Sequence, residues 1–163
     1  ASLPANDRAA LLAFNKKVAE LQRAVTGTSA FTGEMNNRIR YAKEAIVRTG
    51  TANTAELSKK LYDIERRMLT VGIAMNGDAT RSRREFEALP GINGLINGIA
   101  YSLWNTTAGP NGNLEQAYQQ AATKFGPVHA AVKALAAELE LVEQQLEKAG
   151  APYTPGRLPD WKG

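Results

Sequence analysis

The chain has 163 residues with a formal net charge of +4, and 44% of its residues are hydrophobic. That length suits one domain, and the apolar content supports a packed core and excludes a disordered chain. There is no cysteine, which excludes disulfides and thiolate metal sites; with the single histidine, His129, a zinc site would have to rest on carboxylates, which is uncommon, and a Ser-His-Asp mechanism would need His129 as its base, with no partner motif beside it. No apolar run approaches the 18 residues of a membrane span, and the mild basicity is not concentrated as in most nucleic-acid binders.

Hydrophobic spacing organises the chain into five helical segments of about 7–26, 32–49, 54–75, 91–106 and 112–149, followed by a tail over 150–163. Leu11, Phe14, Val18, Leu21 and Val25 mark the first helix, with Asn6 or Asp7 as its cap and Gly27 just past its end. Met35, Ile39, Ala42 and Ile46 mark the second, opened by Thr28 or Thr32 and closed by Gly50. Leu57, Leu61, Ile64, Met68, Val71 and Met75 mark the third, with Asn53 or Thr54 as cap, Glu56 in its first turn and Gly77 as its stop. Short connections make these three antiparallel neighbours.

Residues 76–87, NGDATRSRREFE, form a charged connection. Arg81, Arg83 and Arg84 are candidate anion or partner contacts, offset by Asp78, Glu85 and Glu87 in what also reads as a solvated loop. The fourth segment carries Ile92, Ile96, Ile99 and Leu103 and repeats Ile-Asn-Gly, which puts Gly94 and Gly98 on one face as candidates for close helix packing. A phosphate-binding reading of this glycine-rich stretch lacks the preceding strand and the Gly-Lys-Ser/Thr ending. Trp104, at the end of this segment, is expected to pack against loops.

The fifth segment has the strongest signal. Leu114, Tyr118, Ala121, Phe125, Val128, Val132, Leu135, Leu139, Val142 and Leu146 follow alternating steps of four and three, a heptad seam that predicts left-handed helix-on-helix packing. Asn111 or Asn113 opens the helix and Gly150 stops it; Gly126-Pro127 falls inside it, so a bend in one continuous helix is expected. His129 reads as a helix-surface residue. Glu138, Glu140, Glu143 and Glu147, with Asp63 and Glu65, fall mostly off the seam and are expected in water as surface charge rather than as a hydrolytic pair. No stretch alternates as a strand does, so the fold class is all-α: a four- or five-helix up-and-down bundle.

The chain ends AGAPYTPGRLPDWKG. Pro152, Pro155 and Pro159 favour extended backbone, and Tyr153 and Trp161 are the expected anchors that dock the tail on the bundle.

These last residues carry a resemblance. Ala149 to Arg157 resembles the ending of large bacterial proteins of the sortilin-like, BNR-repeat "glycosyl hydrolase" type, and the turn from Asn76 to Thr80 and the Thr107 to Pro110 element behind Trp104 are similar to others in those proteins. The resemblance is most specific over about 76–161. It implies a secreted β-propeller upstream of a helical C-terminal region, and it assigns any catalytic label to the propeller. No Asp-box pattern occurs in this chain, so no catalytic residue transfers. The resemblance therefore implies a non-catalytic structural or protein-interaction domain of an exported protein, with no cofactor or metal, partnered by its own propeller or by another protein. Two further readings stand beside it: an accessory part of a hydrolase site formed with the propeller, and an anion- or nucleic-acid-binding bundle using the three arginines.

Overall fold

The computed structural model describes residues 4–50, 54–78, 90–105 and 111–163. These residues form an all-α bundle of four helices, with no strand among them: α1 (Ala5–Thr49), α2 (Thr54–Asn76), α3 (Ile92–Trp104) and α4 (Gly112–Lys148). Their contacts divide into two compact units. The first takes Ala1–Ser29 and Gly72–Ala130, the second Ala30–Val71 and Ala131–Gly163.

The expected break at Gly27 does not occur, and the first two expected helices are one. The reason lies in the seam. Thr28 is buried and Thr32 half-buried, and they continue the four-three step between Val25 and Met35. A glycine inside a helix costs about 1 kcal/mol relative to alanine, too little to stop a helix whose buried face runs on without interruption. Neither Gly27 nor Gly33 adopts positive φ. Thr28 and Thr32 are therefore interior residues, not caps. The helix begins at Ala5, which places Asn6 and Asp7 in its first turn, Asp7 where the dipole favours an acid.

The true helix ends use glycine in the left-handed region. Gly77 (φ 82°) donates to the Ile73 carbonyl at 2.8 Å and closes α2 in a single αL turn. Gly150 (φ 84°) donates to Glu147 at 3.1 Å while Ala151 donates to Leu146 at 2.9 Å, the paired bonds of a Schellman motif, with Ala151 buried behind it. Asn111 caps α4, its Oδ1 accepting from the Leu114 amide at 2.9 Å. The helix runs unbroken through Pro127.

In the first unit the core holds Phe14, Val18 and Val25 of α1, Met75 of α2, Ile92, Ile96 and Ile99 of α3, and Ala121 and Phe125 of α4. The Phe14 and Tyr118 rings meet edge to face at 5.9 Å, and the Lys17 ammonium sits 4.9 Å from the Tyr118 ring centre. In the second unit Met35, Ile39 and Ala42 of α1, Leu61, Ile64 and Met68 of α2, and Leu135, Leu139, Val142 and Leu146 of α4 are buried.

Candidate functional site

The Ile-Asn-Gly repeat of α3 has a use other than the expected one. Its isoleucines fill the core of the first unit while its asparagines reach sideways. Asn93 Nδ2 donates to Asn76 Oδ1 at 2.8 Å and to Ser29 Oγ at 3.1 Å, and Gln22 Nε2 donates to Asn97 Oδ1 at 3.5 Å. These bonds fix α3 along α1 and against the end of α2. Gly94 and Gly98 are both exposed; an added Cβ would meet only Pro90 Cβ at 3.5 Å at the first and nothing at the second. They do not mediate close packing. The close approach is at Gly91, where a Cβ would fall 2.6 Å from both the Asn76 carbonyl carbon and the Met75 oxygen.

This placement of α3 leaves a groove of about 290 Å³ between it and α1. Asn15, Val18, Ala19 and Gln22 form one wall; Ala100, Leu103 and Trp104 form the other. Trp104 does not pack against loops among the described residues: 89% of its surface is open, and Tyr101 one turn earlier is 73% open. Leu12, on the α1 stripe that continues through Asn15 and Ala19, is 69% open. An exposed tryptophan beside a shallow apolar groove is the physical form of an interaction anchor: a large rigid ring that loses little side-chain entropy when covered. The sequence singles out Trp104 but places it against loops, because the four-three rhythm ends on Leu103 and carries no information on the residue after it.

The other expected sites fall differently. Arg81, Arg83 and Arg84 lie outside the described residues. His129 is exposed on α4 with its ring 5.6 Å from that of Phe125. Tyr153 is 45% and Trp161 85% exposed, so neither anchors the tail. Arg157 does. Thr154-Pro155-Gly156-Arg157 is a tight turn, with Gly156 at φ 88° and the Arg157 amide donating to the Thr154 carbonyl at 3.1 Å. It returns the arginine to α4.

There Arg157 Nη1 donates to both oxygens of Glu140 at 3.0 and 3.1 Å, Nη2 donates to Glu147 Oε2 at 3.1 Å, and Nε also pairs with Glu147. These carboxylates, Glu147 foremost, push the guanidinium pKa up, against a smaller opposing effect of burial. Arg38 of α1 completes the cluster. Its Nε donates to Glu143 Oε2 at 3.3 Å and its Nη2 to Glu140 Oε2 at 3.3 Å and to Glu143 Oε1. Glu143 is only 2% exposed, contrary to the expectation that the α4 acids lie in water. It sits one residue beyond Val142 on the seam, and a buried carboxylate persists there because two arginines reach it, Arg157 Nη1 at 3.9 Å from its Oε1. No run of types in the sequence separates Glu143 from its exposed neighbours; the signal was the arginine at 157 in a turn-forming Pro-Gly context.

The acids of α2 are also engaged. Asp63 accepts from Arg66 at 2.9 Å and Arg67 at 3.1 Å, which holds its carboxyl below the usual 3.8, and Lys43 pairs with Glu65. Among the described residues no group of three or more His, Cys, Asp or Glu side chains could hold a metal ion, and no helix is long and apolar enough to cross a membrane. Compared with family models, curated proteins and solved structures, the chain matches none.

Proposed function

We propose that this chain is a non-catalytic docking module whose α1–α3 groove receives another protein, in keeping with the resemblance to the helical region that follows a β-propeller in an exported protein. The observation that carries the reading is Trp104, 89% exposed beside a groove that Val18 and Leu103 help to line. Covering a tryptophan removes about 200 Å² from water, worth roughly 5 kcal/mol at 25 cal/mol per Å² before the costs of association. The hydrolytic alternative has less support: Asp63, Glu65, Glu138, Glu140, Glu143 and Glu147 all pair with arginine or lysine, whereas a working acid-base pair needs lone pairs turned to a substrate. The partner implied by the resemblance is the propeller of the same reading frame.

The test is a titration of this chain with the separately expressed segment encoded upstream. Binding is expected, and Trp104→Ala should weaken it at least about 30-fold, the equivalent of roughly 2 kcal/mol, with the melting temperature unchanged. An upstream frame that encodes no propeller, or equal binding by the variant, overturns the proposal.

A further inference from the structure

A second groove, of about 430 Å³, lies between α2 and α4 in the second unit and has a different chemistry. Its volume is in the range of small-molecule sites. Ile64 and Val142, both buried, form its floor, and Leu141 adds a side chain that is 57% exposed. Leu141 falls between the seam positions Leu139 and Val142, so the bundle core leaves it outside.

The polar rim is not symmetric. Asp63 and Glu138 line the groove, but Arg67 holds both: Nη1 donates to Asp63 at 3.1 Å and to Glu138 Oε1 at 2.9 Å, and Nη2 donates to Glu138 Oε2 at 2.6 Å. These carboxylates, Glu138 first, raise the Arg67 pKa, so that corner stays neutralised across the working pH range. The remaining rim is Lys59, Lys60 and the Gln145 amide. Lys59 has only a 3.7 Å pairing with Glu56, both 78% exposed, which is worth little. Lys60 has no ion pair among the described residues. Arg66 also donates to Asp63 at 2.9 Å, so the two rim acids are matched by two arginines and the positive charge of Lys59 and Lys60 is left on the other side of an apolar floor.

We infer that this groove binds a small organic carboxylate with an apolar body, the body lying over Leu141, Val142 and Ile64 and the carboxylate meeting Lys59 and Lys60. A neutral apolar ligand would leave the ammonium groups without a new partner. A dicarboxylate would bring its second charge against Asp63 and Glu138, whose arginines are already occupied. The inference is independent of the docking role of the Trp104 groove, since it uses other residues.

Octanoate and 1-octanol are suitable probes, matched in chain length and different in charge. Titrating the full chain with each, while recording methyl ¹H–¹³C spectra, should give saturable shifts of the Leu141, Val142 and Ile64 methyls. Octanoate should bind about five-fold or more tighter than octanol, the increment of one charge-assisted contact at a half-open surface. Lys60→Gln should reduce that preference and leave octanol binding as it was, and Leu141→Asn should weaken both. Both substitutions are at exposed positions and should leave the thermal melt unchanged. Equal affinity for the two probes, an unaltered preference in Lys60→Gln, or shifts spread over the chain without saturation would each overturn the inference.

Discussion

Arg38→Ala is the sharpest test of the charge cluster that ties α1, α4 and the tail together. Both oxygens of Glu143 accept from Arg38, and the carboxylate is 2% exposed. Removing the guanidinium leaves Glu143 with Arg157 at 3.9 Å as its remaining cation, beyond hydrogen-bond distance, and takes one of the three cationic contacts of Glu140. Breaking a buried pair from one side costs about 3–5 kcal/mol. Arg38 is 26% exposed and Arg157 still supplies some field, so the lower end, about 3 kcal/mol, is the expectation. For a chain of this size each kcal/mol moves the melting temperature by about 2–4 °C, which predicts a drop of roughly 6–12 °C by circular dichroism at 222 nm. Replacing both partners, Arg38→Met with Glu143→Leu, should recover most of that loss, because the cost comes from the orphaned charge rather than from the missing attraction. An Arg38→Ala melt within 1 °C of the parent would refute the reasoning and show that Glu143 finds water or a proton at no cost.

Other outcomes follow from the same geometry. Trp161→Ala, with 85% of the ring already in solvent, should leave the melt unchanged, whereas Arg157→Ala should lower it by several degrees and expose the tail to proteolysis first. Gly91→Ala should be strongly destabilising, about 2–3 kcal/mol by urea denaturation, because its Cβ would meet backbone atoms that cannot move aside; Gly98→Ala, in open space within a helix, should stabilise by up to about 1 kcal/mol. The Asp63 carboxyl should titrate below 3.8 by NMR and move back towards it in Arg67→Gln. Its folded-state pKa is depressed, so the stability it contributes is present above the unfolded value and is lost as pH falls through the folded one; Asp63→Asn should therefore be less stable than the parent near neutral pH, with the difference vanishing as pH falls through the folded value.

The helical character of the chain was legible because burial repeats every three or four residues and each long helix obeys it. On α4, Ala121, Phe125, Val132, Leu135, Leu139, Val142 and Leu146 are all buried as the spacing requires. The error at Gly27 is instructive. Val25 and Met35 are ten residues apart, a step of three, four and three, so the two expected helices already shared one phase. Two independent helices joined by a loop would share it only by accident. Thr28 and Thr32 fill the intermediate positions; their type suggests caps, but their register makes them interior residues. Where side-chain type and heptad register disagree inside a helical run, register should decide, since burial along the seam outweighs the cost of one glycine.

The candidate site was less legible, for a reason that also explains the tail. Periodicity identifies what faces the core and is silent on what faces outward. Trp104, Leu141 and Trp161 are all large and apolar, all off the seam, and all exposed. The expectation that a large aromatic finds cover places Trp104 against loops and makes Trp161 an anchor on the bundle, and neither is covered. The tail is instead held by Arg157, whose four nitrogen-to-oxygen bonds to Glu140 and Glu147 do what hydrophobic burial was expected to do. That exchange has a physical consequence. A strap held by charge-assisted bonds to an acidic helix face loosens when those acids are protonated or screened, whereas one held by tryptophan would tighten in salt. Raising sodium chloride should therefore increase protease access after Arg157, and a strap that becomes better protected in salt would mean that Trp161 holds it after all.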